Sequence, residues 1–365
     1  MKNKSLSVFS VIMAGGVGSR FWPKSREKNP KQLLPILGEQ TMIQQTFERM
    51  RGIVPEKNNF IVTNKLQRSQ IAKQLPMLSE ENILVEPVGR NTAPCVALAA
   101  LFIHRLDPEA VMVVVPADHI VQNVEEFTKV IEAAIEVASN SSSLVTIGIQ
   151  PNRAETGYGY IQIDDSNEKK KNGNHTAYKV KAFAEKPNIE TANRFLESGD
   201  FLWNSGMFVW RCDAILNEIK KSLPELYSHF EILKETIGTN LFETKLQDVY
   251  SKIKSISIDF GVMEKSDNVR VFRGNFGWND VGSWDEVVRL SEKDENGNTI
   301  KGNVIPIDSK NSYFLSNGKL IATVGIDNLI VINTDDAILI CKKDDSQNVK
   351  KIVDYLRHKQ MNDYL

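Results

Sequence analysis

The run Val111-Met112-Val113-Val114-Val115 constrains the fold more than any other stretch of the chain. Five consecutive apolar residues show no alternation, so both faces of the strand they form must be buried. Such a strand needs a layer of structure on each side. Apolar runs at Val8 to Met13, Phe60 to Thr63 and Ile83 to Val85 precede it. They alternate with helical patterns over Met42 to Arg51, which Thr41 can cap, Ser69 to Leu78 and Cys95 to Arg105. This alternation predicts an α/β fold: a mixed, mainly parallel sheet flanked by helices. Strands at Leu144 to Ile149, around Val180 to Pro187, and at Val269 to Phe272 extend it. So does Leu202 to Trp210, an apolar strand interrupted by Asn204-Ser205-Gly206. Helices are expected at Glu125 to Ser139, Ile189 to Ser198 and through Ala214 to Tyr250.

The first strand breaks into Ala14-Gly15-Gly16-Val17-Gly18-Ser19-Arg20 and then delivers Lys24, Arg26, Lys28 and Lys31. Glycines after a buried strand let backbone N–H groups turn toward an anion. The clustered cations would neutralise a polyphosphate, which points to a nucleoside triphosphate. A P-loop is excluded, because Gly18 is followed by Ser19-Arg20 rather than Lys and Ser or Thr. The dinucleotide fingerprint fails too, because Phe21 stands where its third glycine belongs. A tight turn beside a solvated basic face accounts for the glycines alone. The spacing Gly-x-Gly-x-Arg, then Pro23, then Pro30-Lys31-Gln32 is much more specific.

Five later segments carry candidate chemistry. Glu86-Pro87-Val88-Gly89-Arg90-Asn91-Thr92-Ala93-Pro94 leads into an apolar helix, with Asn91 or Thr92 as N-cap and Pro94 in the first turn. The central strand ends Pro116-Ala117-Asp118-His119. Asp118 sits where an acid can hold magnesium, which prefers oxygen ligands. A cap or turn residue is the alternative. His119 could bind phosphate or metal, but a structural histidine, or one behind the ligands, is the favoured reading. Thr156-Gly157-Tyr158-Gly159-Tyr160 leaves room for close backbone approach or forms a twisted ribbon. Glu185 and Lys186 end a strand and are expected on opposite faces, one for a sugar hydroxyl and one for a phosphate. Asp280, in Gly277-Trp278-Asn279-Asp280-Val281-Gly282, is a second candidate metal ligand. The polar Asp164 to His175 reads as an exposed hairpin tip.

The 365-residue chain has room for one large core and a smaller module. Two domains are expected: 1–292, and 299–365, a small β-module with turn signals at Asp308-Ser309, Asn317-Gly318 and Asp335-Asp336 and a closing helix at Val349 to Tyr355. The module is expected to serve packing or dimerisation, and a homodimer is the expected assembly. A net charge of -1 gives no electrostatic case for nucleic acid or an anionic membrane. No apolar run approaches transmembrane length, and Lys2 and Lys4 precede a buried strand rather than a signal peptide. Cys95, Cys212 and Cys341 show neither metal spacing nor a disulfide framework, which suits the cytoplasm.

No Ser/His/Asp or Cys/His constellation stands out for hydrolysis. Nucleotidyl transfer to a sugar 1-phosphate needs less. With a second pKa near 6, a phosphate monoester is already largely dianionic at neutral pH and attacks without a base. Catalysis is then positioning, metal and cations.

The motifs AGGVGSRFWPKS (14–25), PKQLL (30–34), EPVGRNTAP (86–94), PADH (116–119), TGYGY (156–160), FAEKP (183–187), LWNSGMF (202–208) and GWNDVGSW (277–284) run collinearly along nearly the whole chain. In them the chain resembles the bacterial mannose-1-phosphate guanylyltransferases, sugar-phosphate nucleotidyltransferases. The resemblance implies a Rossmann-like nucleotide-diphospho-sugar transferase fold with a C-terminal module like a short left-handed β-helix. It implies GTP and mannose 1-phosphate as substrates, and magnesium, or manganese in its place, as cofactor. By it, Gly15, Gly16 and Gly18 bind the triphosphate, and Arg20 and Lys31 stabilise charge at the α-phosphate and the departing pyrophosphate. Glu86, Gly89, Asn91 and Thr92 lie by base and ribose, with Glu86 as the acceptor for guanine N–H donors. Gly157, Glu185 and Asn204 contact mannose hydroxyls, Lys186 binds the sugar phosphate, and Asp118 and Asp280 hold the metal. Lys24 departs from the apolar residue expected at its position. Longer relatives carry a further isomerase region whose histidine cluster is absent here, so isomerase activity is not expected. The rival readings are a thymidylyl- or uridylyltransferase and a silent regulatory subunit that binds GDP-mannose. The complete set Arg20, Lys31, Asp118 and Asp280 favours an active enzyme over the latter.

Overall fold

The computed structural model describes residues 6–16, 18–165, 170–172 and 175–365, and for 170–172 the backbone alone. Lys2, Lys4 and part of the expected hairpin tip over Asp164 to His175 lie outside the described residues. The chain forms two compact units, one of residues 1–15 and 46–279 and one of residues 16–45 and 280–365.

The first unit is built on one large sheet. Its strands are β1 (Val8–Met13), β2 (Asn59–Asn64), β3 (Ile83–Glu86) and β4 (Val111–Pro116), then β6 (Leu144–Ile149) after the short β5 (Ile120–Val121). They continue with β7 (Gly159–Asp164), β8 (Lys170–Asn172), β9 (His175–Glu185), β10 (Phe201–Arg211) and β11 (Val269–Gly274). A last two-residue strand, β12 (Trp278–Asn279), pairs with β5. The spatial order is β3-β2-β1-β4-β10-β6-β11-β9-β7, with β8 on β9. Pairing is parallel from β3 to β4 and between β6 and β11, whereas β10 runs antiparallel to both its neighbours. The chain leaves β1 toward β2 and β3, then returns to place β4 on the other side of β1. That reversal is a topological switch point, where open α/β sheets bind ligands at the carboxyl ends of their strands.

The helices here are α1 (Met42–Arg51), whose first turn belongs to the second unit, α2 (Arg68–Gln74), α3 (Thr92–Leu106) and α4 (Val124–Ser139). They continue with α5 (Ile189–Ser198), α6 (Cys212–Ser222), α7 (Pro224–Lys234) and α8 (Phe242–Lys252). Phe9, Val11, Phe60, Val62, Met112 and Val114 pack into one core with α3, α6, α7 and α8. Their alternates Ile12, Ile61, Val113 and Val115 are buried as well. Burial on both faces is what the unalternating β4 run requires, and each such side chain is worth about 1.5–3 kcal/mol.

Three local expectations change. Helix α2 ends at Gln74 rather than Leu78, because Pro76 disfavours helical geometry at Leu75. Strand β10 is continuous through Asn204-Ser205-Gly206, which a register shift absorbs as a bulge. Glu185 and Lys186 do not point to opposite faces. Lys186 takes a positive φ of 48° just past β9, and its Nζ donates to Glu185 Oε1 at 2.6 Å.

The second unit contains β13 (Thr299–Lys301), β14 (Val304–Ile307), β15 (Tyr313–Leu315), β16 (Ile321–Val324), β17 (Leu329–Asn333) and β18 (Ile338–Lys342), with α9 (Trp284–Leu290) and α10 (Val349–His358). The chain alternates between two parallel ladders, β13-β15-β17 and β14-β16, as in the coils of a β-helix. Strand β18 then folds back antiparallel on β17. At one corner Gly302 has φ +87°, and a Cβ there would meet the Ser316 carbonyl oxygen at 2.4 Å. Only glycine fits that corner.

Candidate active site

At the switch point, Met13 of β1 pairs with Pro116 of β4, and the Ala117 N–H donates to the Met13 carbonyl at 3.0 Å. Gly15 follows the first strand and Asp118 the second. Beneath Gly15 lies Glu86, at the end of β3 and 5% exposed. A Cβ on Gly15 would stand 3.7 Å from Glu86 Oε2. Oε1 accepts from the Tyr250 hydroxyl at 3.0 Å. Burial pushes the Glu86 carboxyl up to about 7, and the Tyr250 bond partly offsets the rise.

The segment after Glu86 is fixed from α8 and the stretch beyond it. Arg90 Nε donates to the Tyr250 carbonyl at 3.1 Å, the Ala93 N–H donates to Ile256, and Thr92 Oγ1 accepts from Ile258 N–H at 2.8 Å. Asn91 is the N-cap of α3, with its side chain accepting from the Thr92 N–H. Gly89 has open space around it, with no atom within 4 Å of an added Cβ.

The turn carrying Asp118 is held from α1. Arg49 Nη2 donates to the His119 carbonyl at 3.0 Å and to Thr46 Oγ1 at 2.8 Å, and Thr46 Oγ1 donates to the Ala117 carbonyl at 3.2 Å. His119 Nδ1 accepts from Trp278 Nε1 at 3.2 Å, which gives this histidine a structural role.

Glu185, Lys186 and Asn204 come together around Gly159, while Gly157 is placed against Glu155. Gly159 pairs with Glu185, and a Cβ on Gly159 would lie 2.4 Å from Glu185 Oε2 and 3.4 Å from Asn204 Cβ. Gly157 N–H donates to Glu155 Oε1 at 3.1 Å. Asn204 Nδ2 donates to Asp259 Oδ1 at 2.7 Å, while its Oδ1 accepts from Gly206 N–H at 3.1 Å. The polar break in β10 is thus hydrogen-bonded by the protein itself. Burial, reinforced by the Glu185 charge, pushes Asp259 up to about 6.

In the second unit, Gly18 has φ +60° and backs directly onto Lys31, with an added Cβ 2.6 Å from Lys31 Cβ. Lys31 is 4% exposed, and its Nζ donates to the Asp280 carbonyl at 2.6 Å. Gln32 Nε2 donates to the Gly16 carbonyl at 2.8 Å, and Ser25 Oγ to that of Gly18 at 2.6 Å. Arg20 sits in the single turn Ser19–Phe21. Gly16, Gly18, Arg20, Lys31 and Asp280 therefore share one compact unit. Lys24 lies beside Lys301, and burial lowers the pKa of both.

A model of the nucleotidyl transferase family matches residues 9–297, and one of a mannose-phosphate isomerase/GMP-like β-helix domain matches 302–356. The chain belongs to the nucleotidyl transferase family. A Klebsiella pneumoniae protein named mannose-1-phosphate guanylyltransferase is 40% identical over 97% of this chain and 75% of its own length. One of that name with the suffix RfbM, from Salmonella typhimurium, is 40% identical over 98% and 74%. A solved structure from Thermus thermophilus, described as mannose-1-phosphate geranyltransferase, superposes with a TM-score of 0.86 at 30% identity, covering 96% of this chain and all of that one. The family generally uses a divalent metal. Among the described residues no helix is long and apolar enough to cross a membrane.

Sequence reasoning missed Tyr250, Asp259 and Arg49. Asp259 opens a π-helical turn, Asp259–Met263, which no local pattern announces. Tyr250 and Arg49 read as helix-face residues. Only the fold aims them at Glu86 and at the Asp118 turn.

Proposed function

We propose that this chain transfers GMP from GTP to α-D-mannose 1-phosphate, giving GDP-mannose and pyrophosphate. The observation that carries the reading is Lys31, a nearly buried cation pressed on Gly18 and bonded to the Asp280 backbone. Desolvating that ammonium is justified where polyphosphate charge must be neutralised. A sugar-phosphate oxygen forms a bond to the α-phosphorus. The bond from the α-phosphorus to the α,β-bridging oxygen breaks, and its electron pair leaves with pyrophosphate. Gly15, Gly16 and Gly18 line the triphosphate, and Arg20 and Lys31 offset the charge that builds on it. Glu86 accepts from guanine, with Gly89, Asn91 and Thr92 by base and ribose. Gly157, Glu185 and Asn204 orient mannose, and Lys186 holds its phosphate.

Asp118 and Asp280 are the proposed ligands of magnesium, with manganese as the alternative. The donor chemistry fits: two carboxylates supply the oxygen ligands that magnesium prefers. Magnesium is usually held by one or two carboxylates plus substrate phosphates and water. When bound, the metal neutralises phosphate charge. We further propose a cytoplasmic enzyme and a homodimer packed through the β-module, where Ile305, Ile307 and Val324 are 48%, 54% and 70% exposed. Sedimentation of the Ile307→Lys, Val324→Lys variant tests that contact.

Pyrophosphate release with mannose 1-phosphate and magnesium, comparing GTP, ATP, UTP and dTTP, tests the reaction. Release with GTP alone is expected. Release with another nucleotide keeps the chemistry and overturns the guanine assignment. Tight GDP-mannose binding without any release would make the chain a regulatory subunit.

A further inference from the structure

The second unit gathers the loop 16–45 and the C-terminal coils into one body. Its contacts show how the turn that carries Arg20 is held. Phe21, 1% exposed, packs at 5.1 Å and a 54° tilt against Trp284, whose Nε1 donates to the Trp22 carbonyl at 3.2 Å. Trp284 in turn packs on Tyr313 of β15 at 6.1 Å. Trp22 Nε1 donates to the Tyr364 carbonyl at 2.9 Å. Arg26 lies over the Trp22 ring at 5.5 Å, donates to the same carbonyl, and pairs with Asp336 at 2.7 Å. Arg357 of α10 reaches Glu27 at 3.0 Å. From within, Ser25 closes the loop on the Gly18 carbonyl, and the Lys24 and Ser25 N–H groups close on Phe21.

We propose that the C-terminal module is the template of the triphosphate loop, and that Trp22, Arg26 and Asp336 are positioning residues for Arg20. A loop of glycines and like-charged side chains has many conformers and repels itself. Freezing it before the nucleotide arrives removes an ordering cost from binding. Two donors converging on the Tyr364 carbonyl fix the far end of the Ser19–Phe21 turn, and Trp284 fixes its near side. The module therefore acts on the chemistry without supplying a reacting group. This inference rests on the reading of Arg20 as a phosphate-binding cation.

The test uses the full chain and three variants. Trp22→Phe keeps an aromatic ring, though a smaller one, and removes the N–H. Asp336→Ala removes a carboxylate at a largely open site, so its folding is not at risk. Arg20→Ala reports on the underlying reading. The expected result is that Trp22→Phe and Asp336→Ala each raise the KM for GTP by about tenfold, the scale of one lost charge-assisted or buried hydrogen bond. The KM for mannose 1-phosphate should hold in both, the thermal midpoint should hold in Asp336→Ala, and Asp336→Glu should recover most of the loss. Amide exchange over residues 18–29 should quicken in both variants. Unchanged GTP kinetics in both, with Arg20→Ala impaired, overturns the template role alone. A parallel fall in all constants together with the thermal midpoint also overturns it, because that is general destabilisation. Unchanged GTP kinetics in Arg20→Ala overturns the reading beneath it as well.

Discussion

Tyr250 donates its hydroxyl to Glu86 Oε1 at 3.0 Å, and the other oxygen of that carboxyl faces Gly15 at the head of the glycine loop. One buried group thus links α8 to the turn after β1. Burial raises the Glu86 pKa from 4.5 to about 7. A raised folded pKa means that its contribution to stability is fully present below pH 4.5 and lost as pH rises through about 7. Glu86→Gln cannot ionise and escapes that loss. Between pH 4.5 and 8 the variant should therefore gain about 3 kcal/mol on the parent chain, from 1.36 kcal/mol per unit. Urea unfolding at both pH values checks it, and a difference that stays constant with pH would refute the buried charge.

Gly18→Ala combines two faults. The residue sits at φ +60°, where an L side chain costs about 1 kcal/mol, and its Cβ would strike the backbone and Cβ of Lys31. Lys31 is nearly buried and cannot swing away, so the loop must open. Stability should fall by about 1–3 kcal/mol and kcat/KM by about a hundredfold, as the cation proposed to meet the reacting phosphate is displaced. Gly16→Ala, which meets nothing within 4 Å, should leave the unfolding midpoint within a degree or two of the parent.

Strand and helix periodicity made most of the fold legible. The ends of β1, β6 and α5 fall where hydrophobic pattern and turn residues place them. The candidate site was legible only as segments. Glycines, cations and acids show in sequence as chemistry, but their partners come from remote elements. The Tyr250 hydroxyl reaches Glu86 across 164 positions, and the Asn204 amide reaches Asp259 across 55. The opposed-face expectation for Glu185 and Lys186 failed because strand alternation stops where φ turns positive, and Lys186 carries no glycine or asparagine to announce it.

Gly159→Ala separates stability from sugar recognition. The new Cβ would overlap Glu185 Oε2, the far end of a flexible side chain, so the chain can relieve the clash by moving that carboxylate. Moving it breaks the 2.6 Å pair with Lys186 and turns away the acceptor proposed for the mannose hydroxyls. The unfolding midpoint should change little, because the pair is partly exposed and worth at most about 1 kcal/mol. The KM for mannose 1-phosphate should rise by about tenfold, the cost of one misplaced polar contact, with the KM for GTP unchanged. An equal rise in both would place Glu185 outside the sugar site.

Arg49 is 7% exposed, and burial lowers its guanidinium to about 10. Its Nη2 partners are the His119 carbonyl and Thr46 Oγ1, which passes the contact to Ala117. The carbonyls on either side of Asp118 are therefore held by Arg49 and by Thr46, which Arg49 itself bonds. Arg49→Met keeps the apolar stem over Phe127 and leaves the His119 carbonyl without that donor. An unsatisfied buried acceptor costs about 1–3 kcal/mol, so the thermal midpoint should drop by several degrees. The more telling change is in metal dependence. With the His119 carbonyl released and Thr46 no longer held, the turn that carries Asp118 loosens, and the magnesium concentration for half-maximal rate should rise by about tenfold. Manganese binding to the GTP complex, followed by paramagnetic resonance, should weaken in step. Asp118→Asn should weaken it further without the fall in midpoint. If Arg49→Met lowers the midpoint and leaves manganese binding untouched, Arg49 supports the fold and not the aim of Asp118.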